Sequence, residues 1–289
     1  MQKLLAKPVV ERLHEDTARR ARAVLDKAGR RPKLAVVLVG DDPASVIYTS
    51  KKGEAATRAG LEHETLKFSA GASPIEVKAA VERLNHDESI DGILIQRPLP
   101  RTFSEEEVLY WVSPEKDVDA FHPENAGRML LGLPCFRPCT PAGVMEILSF
   151  YGIDPAGKMA CVIGRSSIVG KPMAALLLQA DATVIQAHSR TRDLQTVTRQ
   201  ADILVVAAGK PGLIGAEHVR EKAVVIDVGI HRAEGGKVIG DVRFDEASRK
   251  ASAITPVPGG VGPMTIAILL QNTVFAAESR NGLRPGLRS

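Results

Sequence analysis

The chain has 289 residues, of which 44% are hydrophobic and 25% charged, so it is long enough to bury the cores of two α/β domains. A net charge of +4 and an aromatic content of only 4% argue against a nucleic-acid-binding surface, which interleaves basic residues with aromatic ones. No apolar run approaches the roughly 20 residues of a membrane-spanning helix, and the amino-terminal residues resemble no signal peptide. We therefore expect a soluble, cytoplasmic protein that binds neither nucleic acid nor membrane.

The cysteines and histidines give no indication of a disulfide framework or a metal centre. Three cysteines are an odd number in a chain with no secretory signal, so we expect reduced thiols. The seven histidines include no HExxH motif and no Cys/His cluster at zinc spacing. We therefore predict no metal held by the protein.

The first half of the chain alternates between strand and helix patterns. In chain order, we predict strand Lys33–Val39, a helix from Pro43 to about Ala59, strand Glu62–Phe68, a helix from Pro74 to Leu84 and strand Asp91–Gln96. Asp42 is the expected N-cap of the first of these helices, with Pro43 at its first position, and Gly60 is its expected stop. Strand–helix–strand order is typical of a mostly parallel sheet.

The segment Trp111–Pro141 is rich in Pro, Asp, Gly and Asn, and we interpret it as loops that connect two domains. The elements predicted beyond it are helix Ala142–Tyr151, strand Lys158–Ile163, helix Lys171–Ala180, strand Thr183–Gln186, helix Leu194–Arg199, strands Ile203–Ala207 and Ala223–Val228, and a last helix from about Met264. The predicted fold class is therefore α/β, with two domains.

A glycine-containing turn, Gly164-Arg165-Ser166-Ser167-Ile168-Val169-Gly170, lies between a predicted strand and an apolar helix. In dinucleotide-binding folds the first glycine permits a tight turn, and a later one lets the helix N-terminus approach the pyrophosphate. The spacing is not the strict G-x-G-x-x-G. An ordinary strand-to-helix turn with two glycines therefore stays open as an alternative.

The end of the next strand favours NADP over NAD. NAD enzymes usually carry an acid there for the ribose hydroxyls, whereas this chain has His188-Ser189-Arg190. Together with Arg165, two guanidinium groups and a hydroxyl could surround a 2′-phosphate, which pairs well with the planar fork of arginine. The alternative is that Arg190 and Arg192 are exposed loop cations.

On the helix after Pro43, Ser45, Tyr48 and Lys52 are spaced i, i+3 and i+7, so Tyr48 and Lys52 lie one turn apart on one face. The helix begins at the carboxyl end of a strand, where α/β proteins bind ligands. A lysine beside a tyrosine and an apolar wall can move protons. The same pair also occurs by chance on many helices, so alone it is a weak indication.

Other candidate residues lie at a strand end and in loops. Gln96 ends a predicted strand, and Asp117 and Asp119 offer carboxylates to a substrate with N–H donors, although both acids could simply form a turn. The loop Pro258–Pro263 contains three glycines, so its backbone could approach a flat ligand closely or serve as a hinge.

Taken together, these motifs closely resemble the bifunctional methylenetetrahydrofolate dehydrogenase/methenyltetrahydrofolate cyclohydrolase family. The resemblance extends over about residues 36–273. The phrases that carry it are Gly40-Asp-Asp-Pro-Ala-Ser45, Tyr48-x-x-x-Lys52, Gly92-Ile-Leu-Ile-Gln96, Pro98-Leu-Pro100, Lys116-Asp-Val-Asp119, Pro138-Cys-Thr-Pro141, Gly164-Arg-Ser166, Asp227-Val-Gly-Ile230 and Pro256-Val-Pro-Gly-Gly-Val-Gly-Pro-Met-Thr265.

The resemblance implies oxidation of 5,10-methylenetetrahydrofolate by NADP⁺ and hydrolysis of the methenyl product to 10-formyltetrahydrofolate. It implies that Lys52 manages protons in the hydrolysis, that Gln96 tunes and orients Lys52, that Tyr48 lies against the folate rings and that Asp119 binds the pterin edge. It further implies NADP contacts from Gly164, Arg165, Ser166, Ser189 and Ile230, with Arg190 added from the 2′-phosphate argument. Gly259, Gly260 and Gly262 are expected to border the folate and nicotinamide sites.

The implied domains are a folate-binding catalytic domain of residues 1–140, rejoined by a C-terminal helix over 264–289, and a Rossmann-like NADP-binding domain of residues 141–263. Such enzymes are usually homodimers. Three residues depart from the family pattern: Val46 replaces a common glutamine, Arg97 a leucine or methionine, and Ala120 a glycine. Arg97 could favour a polyglutamate tail or cap a strand, so we expect these departures to bear on folate affinity.

The same motifs have three other interpretations. In short-chain dehydrogenases the Tyr-x-x-x-Lys pair follows the nucleotide turn within one domain, whereas here Tyr48 precedes Gly164. A shikimate-dehydrogenase-like protein shares the two-domain plan but would lack the Pro256–Thr265 phrase. A catalytically silent binder of NADP or folate stays open, although the complete set of Tyr48, Lys52, Gln96 and Asp119 argues against it.

Overall fold

The computed structural model describes residues 1–283, which divide into two compact units. One unit contains Met1–Glu11 and Pro138–Thr265, and the other contains Arg12–Arg137 and the chain from Ile266 onward. Each unit is built on a parallel sheet, of six strands in the first and three in the second. We call them the six-stranded unit and the three-stranded unit.

The strands and helices alternate along most of the chain. The strands are β1 Gln2–Lys3, β2 Lys33–Val39, β3 Glu62–Phe68, β4 Gly92–Ile95, β5 Met159–Ile163, β6 Thr183–Ala187, β7 Ile203–Val206, β8 Val224–Asp227, β9 His231–Arg232, β10 Val238–Ile239 and β11 Ala253–Ile254. The α-helices are α1 Ala6–Ala28, α2 Pro43–Arg58, α3 Pro74–His86, α4 Glu105–Val108, α5 Pro123–Leu130, α6 Cys139–Phe150, α7 Gly170–Gln179, α8 Leu194–Thr198, α9 Phe244–Ala247 and α10 Gly262–Arg280.

The larger sheet has the order β1-β11-β8-β7-β5-β6, and every pair in it is parallel. Strand β7 is apolar throughout and fully buried, as expected for a strand covered on both faces. Cys161, Leu204, Ile214 and Val225 belong to the main core cluster of this unit. The carboxyl ends of β8, β7 and β5 are therefore neighbours along one edge of the sheet.

The smaller sheet has the order β3-β2-β4, with β2 at its centre. Its core includes Val37 and Ile93 from the sheet, Val81 from α3, and Trp111. Glycine at position 92 lets the segment around Val118 lie against β4, because a Cβ atom at Gly92 would come within 2.7 Å of the Val118 side chain. The parallel register of β2 and β4 brings their carboxyl ends together.

A buried ion pair joins two helices of the three-stranded unit. Arg20 on α1 donates from Nε to Oε1 of Glu278 on α10 at 3.0 Å, and from its NH2 nitrogen to Oε2 at 2.8 Å. The two side chains are 9% and 4% exposed. A bidentate pair of this geometry satisfies both buried charges. It anchors the carboxyl-terminal part of α10 in this unit.

The α/β fold class predicted from the sequence is confirmed, and the predicted strands lie within one or two residues of those observed. The interpretation of Trp111–Pro141 as loops throughout is wrong, because it contains α5 and α6 begins at Cys139. Pro123 occupies the first turn of α5, the ring of His122 caps its N-terminus, and Asn125 and Met129 are buried one turn apart. The long helix α1 was not assigned from the sequence.

The amino terminus also differs from the expected domain plan. Residues 1–11 belong to the six-stranded unit, because β1 pairs with β11. A two-residue strand has too short a pattern to be recognised from sequence. The assignment of one domain to folate and the other to NADP stays a prediction. No helix within residues 1–283 combines the length and apolar character needed to cross a bilayer.

Candidate active site and nucleotide-binding turn

A buried lysine meets a glutamine at the carboxyl end of the small sheet. The Nζ of Lys52 donates a hydrogen bond to Oε1 of Gln96 at 2.6 Å, and Lys52 is only 6% exposed. Gln96 directly follows β4, and its N–H donates to the carbonyl oxygen of Val37 on β2 at 2.9 Å. Because side chains on a helix lean toward its N-terminus, Lys52 on α2 extends back toward this edge of the sheet.

The start of α2 is held by the predicted cap. Oδ2 of Asp42 accepts hydrogen bonds from the N–H and the hydroxyl of Ser45, both at 2.8 Å. These bonds hold the pKa of Asp42 below its usual value. Ser45 is buried, and its hydroxyl oxygen lies 3.5 Å from the carbonyl oxygen of Arg97. Ser45 therefore has a structural role, because it binds the Asp42 cap and connects the first turn of α2 to the chain after β4.

The amide of Gln96 has a defined orientation. Its Nε2 donates to the carbonyl oxygen of Arg97 at 2.5 Å, which leaves Oε1 directed at Lys52. An amide oxygen can only accept, so it holds an N–H of Lys52 in one direction. Tyr48, one turn before Lys52 on α2, is half-buried. The arrangement presents a lysine nitrogen, a positioning amide and an aromatic side chain from two elements.

A second carboxylate lies beside Asp119, namely Asp117, which the sequence offered together with Asp119 either as a substrate-binding acid or as a turn former. Asp117 is 5% exposed, and its Oδ2 accepts from the N–H of His122 at 2.7 Å and from Nδ2 of Asn125 at 3.1 Å. Burial raises the pKa of Asp117 to about 7, with a further contribution from Asp119, although the hydrogen bonds act in the opposite direction. Both acids line one small cavity with Arg97.

The turn that carries Asp119 is tight and includes a left-handed residue. Ala120 has φ 61° and is 2% exposed, and its N–H donates to the carbonyl oxygen of Asp117 at 3.0 Å. A left-handed conformation favours glycine, because a Cβ atom there crowds the backbone. The replacement of the usual glycine by alanine therefore strains the backbone beside the proposed pterin-binding acid.

The other two residues that depart from the family pattern are Arg97, which lies after β4, and Val46, which lies on α2. Arg97 is paired with Glu105 at 2.6 Å, and its guanidinium lies 5.7 Å from the centre of the Phe121 ring. Its charge is thus engaged by neighbours in this structure. Val46, in the first turn of α2, is exposed. Nothing in the structure explains the valine.

In the six-stranded unit, the turn after β5 depends on both of its end glycines. Gly164 has φ 120°, and a Cβ atom there would overlap the carbonyl oxygen of Ala207 at the end of β7. A Cβ atom at Gly170 would overlap the backbone of Gly164 itself. The turn therefore folds back onto the start of α7, as a phosphate-binding turn must.

Exposed polar groups surround this turn. Arg165 and Ser166 are exposed, and the hydroxyl oxygen of Ser166 accepts from the N–H groups of Val169 and Gly170 at 3.2 and 3.3 Å. Ser189 and Arg190 are exposed after β6, which pairs with β5, so the two turns leave neighbouring strand ends. A glycine cradle with two exposed guanidinium groups and no acid at the end of β6 fits a phosphorylated dinucleotide.

The remaining predicted residues also lie in the six-stranded unit. Ile230 follows β8 and is 51% exposed. Gly259 has φ 98° and is exposed, whereas Gly260 is buried and packs on Pro256, whose carbonyl oxygen would lie 2.5 Å from a Cβ atom there. Gly262 is the first residue of α10. Within residues 1–283, no group of three or more His, Cys, Asp or Glu side chains is arranged to hold a metal ion.

Comparisons with known proteins cover nearly the whole chain. The model of the catalytic domain of tetrahydrofolate dehydrogenase/cyclohydrolase matches residues 4–119, and that of its NAD(P)-binding domain matches residues 138–281. The bifunctional protein FolD of Synechococcus sp. strain WH7803 is 52% identical over 281 residues, which are 97% of this chain and 94% of the relative.

Two solved structures are similar over their full length. The bifunctional enzyme FolD, a methylenetetrahydrofolate dehydrogenase/cyclohydrolase from Campylobacter jejuni, has a TM-score of 0.94 and 47% identity, covering 97% of this chain and 99% of that one. The N5,N10-methylenetetrahydrofolate dehydrogenase-cyclohydrolase of Trypanosoma brucei, solved with NADP cofactor and inhibitor, has a TM-score of 0.90 and 35% identity, covering 96% and 97%.

Proposed function

Because the chain belongs to the tetrahydrofolate dehydrogenase/cyclohydrolase family, we infer that it is a bifunctional enzyme of folate one-carbon metabolism. It oxidises 5,10-methylenetetrahydrofolate with NADP⁺ to the 5,10-methenyl compound, and it hydrolyses that compound to 10-formyltetrahydrofolate. The hydrogen bond between the buried Lys52 and Gln96 is the observation that carries the hydrolytic half.

The oxidation requires orientation more than a strong base. NADP⁺, when bound, accepts a hydride from the methylene carbon, and the positive charge left behind is shared by the two folate nitrogens. We assign the pyrophosphate to the turn of Gly164, Arg165 and Ser166, and the 2′-phosphate to Ser189 and Arg190. The glycine cradle and the exposed cations support this assignment. We also retain Ile230 as a cofactor contact, on the resemblance and its exposure.

The hydrolysis requires proton transfers that the oxidation does not. Water adds to the methenyl carbon and loses one proton. The hydroxyl group so formed then gives up its own proton as the bond from that carbon to N5 breaks and the formyl C=O forms, while N5 takes up a proton, so that one proton is released overall. We propose that Lys52 carries a proton between these atoms, while Gln96 keeps the lysine nitrogen directed. A lysine that is 6% exposed and donates to the oriented amide of Gln96 is suited to this task.

The folate contacts rest on the resemblance together with local geometry. We propose that Asp119 accepts hydrogen bonds from the pterin edge and that the half-buried Tyr48 packs against the folate rings. Asp119 lies in a turn that Asp117 braces, which supports its use as an anchor. The backbone of Gly259, Gly260 and Gly262 is proposed as a further substrate contact.

The assembly and the cellular setting are also proposals. We propose a homodimer in the cytoplasm that binds neither nucleic acid nor membranes, on the family resemblance, the modest net charge of +4 and the low aromatic content. Sedimentation equilibrium of the purified protein tests the dimer. A monomer at assay concentration would contradict it.

An absorbance time course tests both activities together. Purified protein is mixed with methylenetetrahydrofolate and either NADP⁺ or NAD⁺, and reduced nicotinamide and methenyl compound are followed separately. We expect reduction with NADP⁺ and little accumulation of the methenyl compound. Accumulation would leave a dehydrogenase in which Lys52 does not support hydrolysis. No reduction, despite tight NADP binding, would instead favour a silent binding protein.

A further inference from the structure

Two buried carboxylates bring together three turns at the carboxyl edge of the larger sheet. Asp227 ends β8 and is 3% exposed, and Asp241 follows β10 and is fully buried. The proposed mechanism uses neither of them. The turns are residues 207–209 after β7, residues 228–230 after β8, and residues 240–242 before α9.

Asp241 connects two of these turns through its two oxygens. Its Oδ2 accepts hydrogen bonds from the N–H groups of Ala208 and Gly209 at 2.7 and 2.9 Å. Its Oδ1 lies 2.6 Å from Nε2 of His231, the residue directly after Ile230. The turn after β7 and the end of the turn after β8 are thereby held by one side chain.

Asp227 fixes the backbone that carries the Asp241 side chain. Its Oδ1 accepts from the N–H groups of Gly229 and Asp241, both at 3.0 Å, and its Oδ2 accepts from the N–H of Val242 at 3.0 Å. A Cβ atom at Gly229 would come within 2.5 Å of the Asp241 carboxyl carbon. Every oxygen of the pair thus has a partner, and glycine is required for the close approach.

This cluster is connected to the proposed cofactor site through residues 207–209. Strand β7 lies between β5 and β8 in the sheet, and the turn after β7 begins at Ala207, whose carbonyl oxygen packs on Gly164. Ligands of open parallel sheets bind at the carboxyl ends of the strands. A shift of residues 207–209 would therefore alter the surface next to the phosphate-binding turn. A shift of the turn after β8 would displace Ile230, which is a proposed cofactor contact.

We propose that Asp241 is a positioning residue for NADP binding, which holds the turns after β7 and β8 in the shape that receives the cofactor and is itself braced by Asp227 and His231. The inference rests on the proposed function, since it concerns the same cofactor site. It concerns only the oxidation, because hydrolysis of the methenyl compound consumes no cofactor.

The test is Asp241→Asn, with the two reactions assayed separately. The amide retains one oxygen, so its NH₂ group either faces the two turn N–H donors, which loses both of those bonds, or faces His231, whose ring must then accept at Nε2. In both orientations the charge of the carboxylate, which strengthens its bonds to the turn N–H groups, is gone. We expect the KM for NADP⁺ and its directly measured Kd to rise at least 10-fold. The kcat and KM for hydrolysis of added methenyltetrahydrofolate are expected to stay within twofold of the wild type. Asp245→Asn, an exposed neighbour on α9, is the matched control and should change nothing.

A milder variant covers the case in which Asp241→Asn fails to fold. His231→Gln removes only the ring partner of Oδ1, and we expect a smaller rise in the Kd for NADP⁺, of about threefold, with hydrolysis intact. Unchanged NADP⁺ binding in the folded variants would overturn the proposal, as would parallel losses in both reactions. A wild-type enzyme that binds NADP⁺ but does not turn over would instead contradict the proposed function, and the binding measurement would still test Asp241.

Discussion

The side-chain nitrogen of Lys52 on α2 donates a hydrogen bond of 2.6 Å to the amide oxygen of Gln96, which follows β4. The two residues are 44 positions apart in the chain and meet because β2 and β4 are parallel neighbours with aligned carboxyl ends. The amide of Gln96 is oriented in turn by the carbonyl oxygen of Arg97. Lysine and glutamine therefore form a unit in which the direction of the lysine nitrogen is determined.

The first prediction concerns this nitrogen. In Lys52→Met the proton carrier is absent while the aliphatic part of the side chain is retained, so hydrolysis of methenyltetrahydrofolate should slow by about 10²- to 10⁴-fold. Folate binding, measured by fluorescence or calorimetry, should remain detectable. Lys51→Met is the control, since Lys51 is exposed on the same helix. An unchanged hydrolysis rate in Lys52→Met would refute the proton role.

The second prediction concerns the shared substrate anchor. Asp119→Ala should raise the KM for the folate substrate in both reactions by about 10- to 100-fold, because hydrogen bonds to a charged group contribute about 1.5–3 kcal/mol. Glu115→Ala, at an exposed acid of the same segment, should leave both KM values unchanged. If only one reaction is affected by Asp119→Ala, that residue does not anchor a substrate common to both.

The third prediction concerns cofactor preference. Arg190→Asp places a negative charge where the 2′-phosphate of NADP is expected, so the kcat/KM for NADP⁺ should fall at least 10-fold more than that for NAD⁺. Arg192→Asp is the control for a general change of charge in the same exposed loop. Equal losses with the two cofactors would remove Arg190 from the phosphate site.

The fourth prediction concerns backbone strain beside Asp119. Ala120→Gly should increase the free energy of unfolding by about 1 kcal/mol, because glycine adopts the observed φ of 61° without crowding its Cβ. Urea unfolding can be followed by the fluorescence of Trp111, the only tryptophan, which is buried in the same unit. Ala126→Gly, at an exposed position within α5, should instead destabilise by about 1 kcal/mol. A loss of stability in Ala120→Gly would show that the turn is unstrained.

The fifth prediction concerns the pH dependence of stability. Burial raises the pKa of Asp117 from 3.8 to about 7, so the folded state disfavours the charged carboxylate. The stability contribution of Asp117 is therefore greatest below about pH 4 and declines as the pH rises to about 7, by ~1.4 kcal/mol for each pH unit between the two pKa values. Asp117→Asn does not titrate.

The stability of Asp117→Asn relative to the wild type should consequently increase between pH 5 and pH 8. Urea denaturation at several pH values measures this difference directly. Asp87→Asn provides a contrast, because hydrogen bonds from Ser89 lower the pKa of that exposed aspartate. The free energy of unfolding of the wild type should therefore increase relative to that of Asp87→Asn as the pH rises through the acidic range. A difference for Asp117 that is independent of pH would contradict the burial argument.

Much of the fold could be predicted from local patterns in the sequence. The apolar strands β2, β5 and β7, the Asp42 cap of α2 and the two end glycines of the turn after β5 all have short-range signals. The helix α5 was missed because its loop-like composition outweighed the Pro123 start and the one-turn spacing of its buried residues. Strands β1 and β11 are two residues long and form only through pairing with each other and with β8.

The candidate site was predicted as a list of residues rather than as contacts. Lys52 and Gln96 were both named, but nothing in the periodicity of either segment specified that one accepts a hydrogen bond from the other. Asp117 was considered only beside Asp119, since burial and the resulting rise in its pKa are properties of the folded chain. The roles assigned to the site residues stay predictions for the experiments above.

The sequence by itself determined the α/β class, the positions of most strands and helices, and the family to which the chain belongs, because these depend on residue order and on patterns of a few positions. The tertiary structure alone decided which distant groups meet: Lys52 with Gln96, Arg20 with Glu278, and Asp241 with the turn at Ala208 and Gly209. Such contacts follow from the order and register of strands in a sheet and from the packing of helices on it. Those relationships arise only when the whole chain has buried its apolar surface.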